Sequence, residues 1–314
     1  MRELATKYGL LRGVAWIRYY SEGPVAECMV DAHNEINTPY GRLVPQFEDD
    51  GVRRKYTKSL SFYENGNLKS IVLQEQMDME TICGTMPAEQ IVFYESGNIK
   101  RIFPLNGKIT GYWTEEDEYS LAKEFSFELS FGKICQKIIG TYFYDDGGVK
   151  SITFWPQARF SLQTPIGRLE NRIGISLYPD GKLKSCEPAE PVTVDTPIGE
   201  ILAYNMNAIG IHGDNNSLCF DKTGKVKSLI TSHNKVEAVD AEGNHIQFEP
   251  YLRPSLFNPE AMELLPCHIE FDDNKVTFNE KFELDISKYT FTIKPFERKC
   301  GGCRSNCSRC NGCG

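Results

Sequence analysis

The stretch FYENGNLKS, residues 62–70, decides the fold of this 314-residue chain. It joins an aromatic pair to an Asn-Gly pair, and then to an aliphatic residue, a lysine and a serine. Asn-Gly supplies the positive φ angles that tight hairpin turns need, and the apolar residues on both sides favour strands. Residues 62–70 therefore predict a β-hairpin.

The same pattern recurs along the chain. The five copies of two mostly aromatic residues, two variable residues and a glycine are residues 19–23, 62–66, 93–97, 143–147 and 177–181. A sixth copy at residues 219–224 is interpreted as carrying one extra residue, and a degenerate last copy is expected at residues 271–276. Self-similarity of this kind is typical of a repeat architecture.

A second turn motif, usually Thr-Pro-x-Gly, alternates with the first. It occurs at residues 38–43, 81–86, 164–169 and 196–201. The glycine of the first motif precedes that of the second by 18, 18, 20 and 18 residues, in the pairs Gly23–Gly41, Gly66–Gly84, Gly147–Gly167 and Gly181–Gly199. This near-constant register predicts strands that reverse at both ends.

The two motifs together predict an all-β fold, an elongated meandering antiparallel sheet or β-solenoid built from about six hairpin repeats. Helix is expected only in two short segments, residues 115–125 and 258–265. No Ser- or Gly-rich linker precedes Lys299, so the expected organisation is one repeat domain over residues 1–298 and a flexible, cysteine-rich tail over residues 299–314.

These residues resemble a known repeat class. The FYxNGxLKS pattern is similar to the variant MORN-type repeats of bacterial proteins, in short patches between residues 19 and 276. The resemblance implies a stacked β-hairpin protein used for binding or assembly, a class that includes antitoxin-like proteins.

Stacked repeats bring equivalent positions together, so two columns of side chains are expected. The first is an aromatic row formed by Tyr20, Tyr63, Tyr94, Tyr144, Tyr178 and Phe220. The second is a lysine column formed by Lys69, Lys100, Lys150, Lys184 and Lys227. Each column has two interpretations. The aromatic row is a structural ladder or a platform for a peptide or glycan, and the lysines are solvated residues that protect strand edges or an anion site.

Composition and motifs exclude several classes of function. The chain has 35 Lys and Arg against 43 Asp and Glu, a net charge of -8 that disfavours nucleic acid as a partner. It has no signal-peptide pattern and no apolar run long enough to span a membrane, which predicts a cytoplasmic protein that does not bind membranes. GxSxG, GxGxxG, P-loop and paired-histidine metal motifs are absent from the sequence.

The last fifteen residues carry the strongest chemical signal. Their five cysteines, the expected ligands of a metal site, are Cys300, Cys303, Cys307, Cys310 and Cys313. Two-residue gaps let thiolates converge on one metal or cluster, and nearby Arg and Lys side chains favour the thiolate form. Only three residues separate the two CxxC pairs, which favours an iron-sulfur cluster over zinc. The other six cysteines are interpreted as core residues.

The expected function is therefore a non-catalytic β-repeat protein that binds or scaffolds a protein partner, with an iron-sulfur or soft-metal segment at its C-terminus. Two alternatives remain open. One is a redox protein or electron-transfer accessory enzyme that uses the tail cysteines, with polar groups near His212, Asp214 and Asn215 as the place for its pocket. The other is an antitoxin-like binding module with an incidental tail.

Overall fold

The computed structural model describes residues 2–21, 23–55, 58–209, 213–255 and 262–297. The chain forms two compact units. The first consists of Met1–Glu190 with Ala208–Lys227, and the second of Pro191–Asn207 with Ser228–Gly314. The predicted tail, residues 299–314, lies outside the described residues.

The elements follow one another as short and long strands with a single α-helix among the described residues. Those up to residue 190 are β1 (Leu4–Thr6), β2 (Gly9–Leu11), β3 (Val14–Tyr19), β4 (Val25–Val30), β5 (Ile36–Thr38), β6 (Gly41–Leu43), β7 (Leu60–Phe62), β8 (Leu68–Thr81), β9 (Gly84–Phe93), β10 (Ile99–Phe103), α1 (Glu115–Leu121), β11 (Glu124–Leu129), β12 (Gly132–Phe143), β13 (Val149–Phe154), β14 (Phe160–Thr164), β15 (Gly167–Leu177) and β16 (Leu183–Pro188).

The remaining elements are also strands, apart from one 3-10 turn. They are β17 (Val192–Thr196), β18 (Gly199–Ala203), β19 (Leu218–Phe220), β20 (Val226–Thr231), β21 (Asn234–Asp240), β22 (His245–Phe248), β23 (Tyr251–Pro254), β24 (Met262–Leu265), β25 (Cys267–Asp272), β26 (Lys275–Phe278), β27 (Phe282–Asp285), the 3-10 helix Ile286–Lys288 and β28 (Tyr289–Pro295).

The first unit is an antiparallel meander, which confirms the predicted all-β class. Its strands pair in the order β3, β4, β7, β8, β9, β10, β12, β13, β15, β16 and β19, and the row does not close into a barrel. Successive neighbours are joined mostly by the predicted hairpins. In the second unit β20, β25, β26 and β27 pair in that order, and β22, β21 and β28 form a separate three-stranded sheet.

The five hairpin turns of the first motif that begin at a tyrosine share one geometry, whereas the degenerate copy at residues 271–276 forms a two-residue turn between Asp272 and Lys275. At Tyr63 the backbone amide donates to the carbonyl of Asn67 at 2.8 Å, and the amide of Gly66 donates to the carbonyl of Tyr63 at 2.8 Å. Gly66 has a φ of 79°, a backbone conformation that glycine adopts more readily than other residues, which explains why a glycine stands at this position. The same pair of bonds closes the turns that begin at Tyr20, Tyr94, Tyr144 and Tyr178.

The sixth copy has this geometry too, so the interpretation that it carries an extra residue is wrong. Asp221 takes the tyrosine position: its amide donates to Lys225 at 2.8 Å and its carbonyl accepts from Gly224 at 3.1 Å. Its carboxylate accepts from the amide of Thr223 at 2.7 Å, a local bond typical of aspartate in turns. Phe220 is therefore equivalent to Phe62, and both are buried.

The second motif forms turns in which threonine binds the backbone twice. The hydroxyl of Thr81 accepts from the amide of Cys83 at 3.2 Å and donates to the carbonyl of Gly84 at 2.7 Å. The same donation to glycine occurs at Thr6, Thr38, Thr164 and Thr196. The turn at Thr6 was not anticipated from the sequence.

The tips of the threonine turns at Thr6 and Thr38 each lie on the hairpin turn that comes second after them in sequence. Tyr8, in the turn at Thr6, has its ring centre 6.5 Å from that of Phe62, and its hydroxyl accepts from the amide of Leu68 at 2.8 Å. Tyr40, in the next turn, lies 6.0 Å from Phe93 and accepts from Ile99 at 3.2 Å. These two threonine hairpins therefore each place a tyrosine over a buried phenylalanine at a later hairpin turn.

The predicted helices are shorter than expected or absent. Helix α1 begins after Thr114, whose side chain accepts from the amide of Asp117, and it ends at Leu121 rather than at residue 125. Residues 124–129 instead pair with β12, because strand pairing overrides their helical pattern. In the second predicted helix, residues 262–265 are strand β24, and residues 258–261 lie outside the described residues.

Candidate functional site

The predicted row of tyrosines exists and is held by hydrogen bonds between neighbouring copies. Each hydroxyl donates at 2.8 Å to the backbone carbonyl of the residue just before the next copy's turn. The pairs are Tyr20–Phe62, Tyr63–Phe93, Tyr94–Phe143, Tyr144–Leu177 and Tyr178–Phe220. This supports the structural interpretation of the row. Phe220, predicted as its last member, supplies a carbonyl and keeps its ring in the core.

Four of the five lysines of the predicted column lie on these rings, and the fifth, Lys227, belongs to the copy in which Asp221 takes the tyrosine position. The ammonium nitrogens lie 5.3 to 6.0 Å from the ring centres, in the pairs Lys69–Tyr63, Lys100–Tyr94, Lys150–Tyr144 and Lys184–Tyr178. Such distances allow cation–π attraction, so each lysine is held above its own tyrosine. We call these eight residues the tyrosine–lysine face. Partial burial raises the pKa of Tyr63, Tyr144 and Tyr178, which keeps their phenols protonated donors.

Tyr142 stands in the middle of this face and was not identified from the sequence. Arg101 and Lys150 lie 4.6 and 4.3 Å from its ring centre, and Lys100 lies 5.9 Å away. Partial burial favours the neutral phenol, but the hydrogen bond with Tyr94 and the charges of Lys100 and Lys150 outweigh it and lower the pKa of Tyr142. Its position two residues before Tyr144 is the signal that could have found it, because side chains two residues apart in an extended chain point the same way.

The loop before β19 is the place where the redox alternative expects its pocket, and only part of this loop lies among the described residues. Asp214 accepts a hydrogen bond from Ser151 at 3.3 Å and has an oxygen 3.9 Å from Arg101. Asn216 is buried and donates to Ser185 at 2.7 Å, and Asn215 is exposed. His212 lies outside the described residues. The polar groups that are described fasten the loop to the sheet of the first unit.

The six cysteines outside the tail are mostly but not all core residues. Cys28, Cys186 and Cys267 are buried, Cys83 and Cys219 are half-buried, and Cys135 is exposed on β12. Burial raises the pKa of Cys28 and Cys267 to about 12, so these two thiols stay protonated. The core interpretation is wrong for Cys135.

No cluster of three or more metal-ligating side chains occurs among the described residues, which exclude the tail. The predicted ligands, Cys300, Cys303, Cys307, Cys310 and Cys313, all lie outside the described residues. In the described part of the chain, no helix is both long enough and apolar enough to cross a bilayer.

A buried ionic cluster in the first unit joins the loop at Arg53 to strand β9 and helix α1. The guanidinium of Arg53 bonds the carboxylate of Glu89 at 2.6 Å and that of Glu118 at 2.7 Å. Trp113 Nε1 and the amide of Gly107 also donate to Glu118, each at 2.7 Å. Because the carboxylate oxygens of Glu118 are bonded on both sides, this cluster fixes residues 104–121 to the sheet and is a structural feature.

Comparison with known proteins agrees with the repeat geometry. A family model described as a MORN repeat variant matches residues 50–74, the segment that contains β7, the turn at Tyr63 and the first part of β8. No curated protein and no solved structure matches the chain. Residues 50–74 are therefore similar to a MORN repeat variant, and the resemblance read from FYENGNLKS is confirmed.

Proposed function

We propose that this chain is a non-catalytic binding or scaffold protein, and that its tyrosine–lysine face docks an extended acidic segment of a protein partner. One observation carries the proposal. In the part of the chain that the structure describes, Lys69, Lys100, Lys150 and Lys184 form no ion pair with a carboxylate, although the protein as a whole carries a charge of -8. Their charges are open to an acidic ligand.

The spacing of the lysines predicts the spacing of the acidic residues in such a ligand. Lys69, Lys100, Lys150 and Lys184 lie on β8, β10, β13 and β16, so each is two strands from the next. Neighbouring strands are about 4.8 Å apart, which places successive lysines about 9.6 Å apart. A polyproline II segment repeats about every 9.3 Å, so glutamates at every third residue would meet successive lysines.

A direct binding measurement tests this function. The probe is a fluorescein-labelled peptide, (Glu-Pro-Pro)5. The control is a peptide of the same length and charge whose glutamates stand in one block. We expect the spaced peptide to bind the full chain more tightly in fluorescence anisotropy, with an affinity that falls as salt rises.

Matched variants locate the site. Lys100→Glu with Lys150→Glu should weaken binding at least ten-fold, because two attractive charges become repulsive. Lys133→Glu reverses one charge on the solvent-exposed end of β12, away from the tyrosines, and should leave the affinity unchanged. Equal binding of the two peptides, or equal loss in both variants, would overturn the proposal.

We also propose that the C-terminal segment ligates an iron-sulfur cluster or a soft metal through Cys300, Cys303, Cys307, Cys310 and Cys313. The cysteine spacing supports this assignment, as does the absence of acidic residues from Arg298 onward in the sequence. Deleting residues 299–314 separates the alternatives. A binding module with an incidental tail keeps its peptide affinity and loses nothing else, whereas a redox protein loses its electron-accepting centre.

A further inference from the structure

A cavity of about 410 Å³ opens in the first unit where the β8–β9 hairpin tip meets a later hairpin turn. Its apolar lining consists of Tyr40, Ile82, Ile99 and Phe143. Ile82 is 75% exposed, so its side chain is open to a ligand that enters the cavity. Cavities of this size hold small ligands or single side chains.

The repeat register shows what kind of group belongs there. The two preceding threonine turns place a tyrosine over the hairpin turn that they cover: Tyr8 lies on Phe62, and Tyr40 lies on Phe93. The third turn, Thr81-Ile82-Cys83-Gly84, covers the turn after Phe143 but has Cys83 at the tyrosine position. Cysteine has no aromatic ring to cover Phe143 and no phenol to accept from the amide of Val149.

The charge of the rim adds a second requirement. Glu80, Asp145 and Asp146 line the cavity, and no lysine or arginine is among the residues that line it. In the first turn, Lys7 stands next to Tyr8 in sequence, and its ammonium donates to Asn67 on the covered turn at 3.0 Å. A tyrosine that enters the third position with a neighbouring lysine would therefore meet three carboxylates.

We propose that this cavity binds a tyrosine side chain of a partner polypeptide, flanked by a basic residue, in the way that Tyr8 is bound within the chain. The entering ring covers Phe143 beside Tyr40, its hydroxyl accepts from the Val149 amide, and the basic residue lies against Asp145 and Asp146. None of the four lysines of the tyrosine–lysine face lines this site, and the inference does not depend on the function proposed for that face.

The chain supplies its own probe. A cyclised hairpin peptide with the sequence of residues 4–11, LATKYGLL, carries the Thr-Lys-Tyr-Gly turn. We expect it to bind the full chain in isothermal titration calorimetry. Replacing its tyrosine by phenylalanine removes one hydrogen bond and should weaken binding about three- to ten-fold. Replacing the tyrosine by alanine should abolish binding, and replacing the lysine by glutamate should weaken it strongly.

Variants of the protein show whether the peptide occupies this cavity. Cys83→Tyr gives the third turn the ring found in the first two, so it should block the peptide and raise the melting temperature. Cys135→Tyr, the same change at an exposed cysteine, should do neither. If Cys83→Tyr does not fold, Glu80→Gln with Asp146→Asn removes two rim charges and should weaken binding several-fold, less so at high salt.

The two binding proposals can fail separately. Lys100→Glu with Lys150→Glu should leave the hairpin peptide bound at this cavity with unchanged affinity. Peptide binding that survives Cys83→Tyr, an affinity that the rim variant leaves unchanged, or an affinity that the tyrosine-to-alanine change in the peptide leaves unchanged would overturn the inference.

Discussion

The hydroxyl of Tyr63 donates a hydrogen bond to the backbone carbonyl of Phe93 at 2.8 Å, so a side chain of one repeat binds the backbone of the next. The same bond recurs at four other tyrosines, which makes it the contact that defines the repeat. In a repeat array, stability depends on such nearest-neighbour contacts as well as on each unit.

We therefore expect Tyr63→Phe to lower the free energy of unfolding by about 1 kcal/mol, since the ring stays and one hydrogen bond is lost. Urea denaturation followed by tryptophan fluorescence measures this in the first unit, which holds all three tryptophans, Trp16, Trp113 and Trp155. Tyr112→Phe is the control, because Tyr112 is 90% exposed. A similar loss in both variants would mean that the hydroxyl at Tyr63 contributes nothing.

The turn glycines give a second prediction. Gly97 has a φ of 94° and no atom within 4 Å of an added Cβ, so Gly97→Ala is opposed by backbone strain alone. We expect it to cost about 1–2 kcal/mol of unfolding free energy. Gly111→Ala also adds a methyl group to open space, but its backbone is not left-handed, and it should change stability by less than about 0.5 kcal/mol. A neutral Gly97→Ala would refute the turn assignment.

The sequence predicts the hairpins well because their signals are local. A glycine with positive φ and a polar residue before it fix a turn within five residues, as at Gly66 and Gly97. The register of the sixth copy was misjudged because Asp221 replaces the expected tyrosine, and an aspartate can close the same turn with its own carboxylate.

The candidate sites are built from contacts between residues that are far apart in the sequence. No local sequence pattern predicts these contacts. Nothing in Thr81-Ile82-Cys83-Gly84 indicates that this turn lies against Phe143, about sixty residues later, because that contact depends on the fold-back of the whole β8–β9 hairpin. The cationic surroundings of Tyr142 likewise come from β10, β12 and β13 together.

The ionic cluster at Arg53 predicts a pH-dependent stability. Burial alone would raise the pKa of Glu118, but hydrogen bonds from Arg53, Trp113 and Gly107 outweigh burial and lower it. A carboxyl group whose pKa is lower in the folded state stabilises the fold above its unfolded pKa of about 4.3, and this contribution is lost as the pH falls through the folded pKa.

Glu118→Gln should accordingly lower the free energy of unfolding by about 3 kcal/mol at pH 7, because it removes one partner of a buried ion pair. The difference from the unmodified chain should shrink as the pH falls below about 4.3. Glu116→Gln, on the exposed side of the same helix, should have no effect at either pH. Urea titrations at pH 7 and pH 3.5 measure this, and a difference that does not depend on pH would contradict the ionic role of Glu118.

The last prediction concerns the cysteine segment, whose ligand assignment is based on the sequence. Only three residues separate Cys303 from Cys307, so two CxxC pairs can hardly surround one zinc ion in the way that long zinc loops allow, whereas cluster ligands commonly stand two or three residues apart. We therefore expect chain purified without oxygen to contain iron and acid-labile sulfide in equal amounts.

Serine at all five tail positions should remove the metal, whereas Cys135→Ser, at the exposed cysteine of β12, should not. Elemental and sulfide analysis of the full chain, the five-serine variant and the Cys135→Ser variant makes the comparison. Stoichiometric zinc without sulfide would contradict the cluster and indicate a mononuclear zinc site on the same thiolates. Full-length protein with neither metal would end the proposal, because thiolates at this spacing, next to four cationic residues, should bind a soft metal wherever one is supplied.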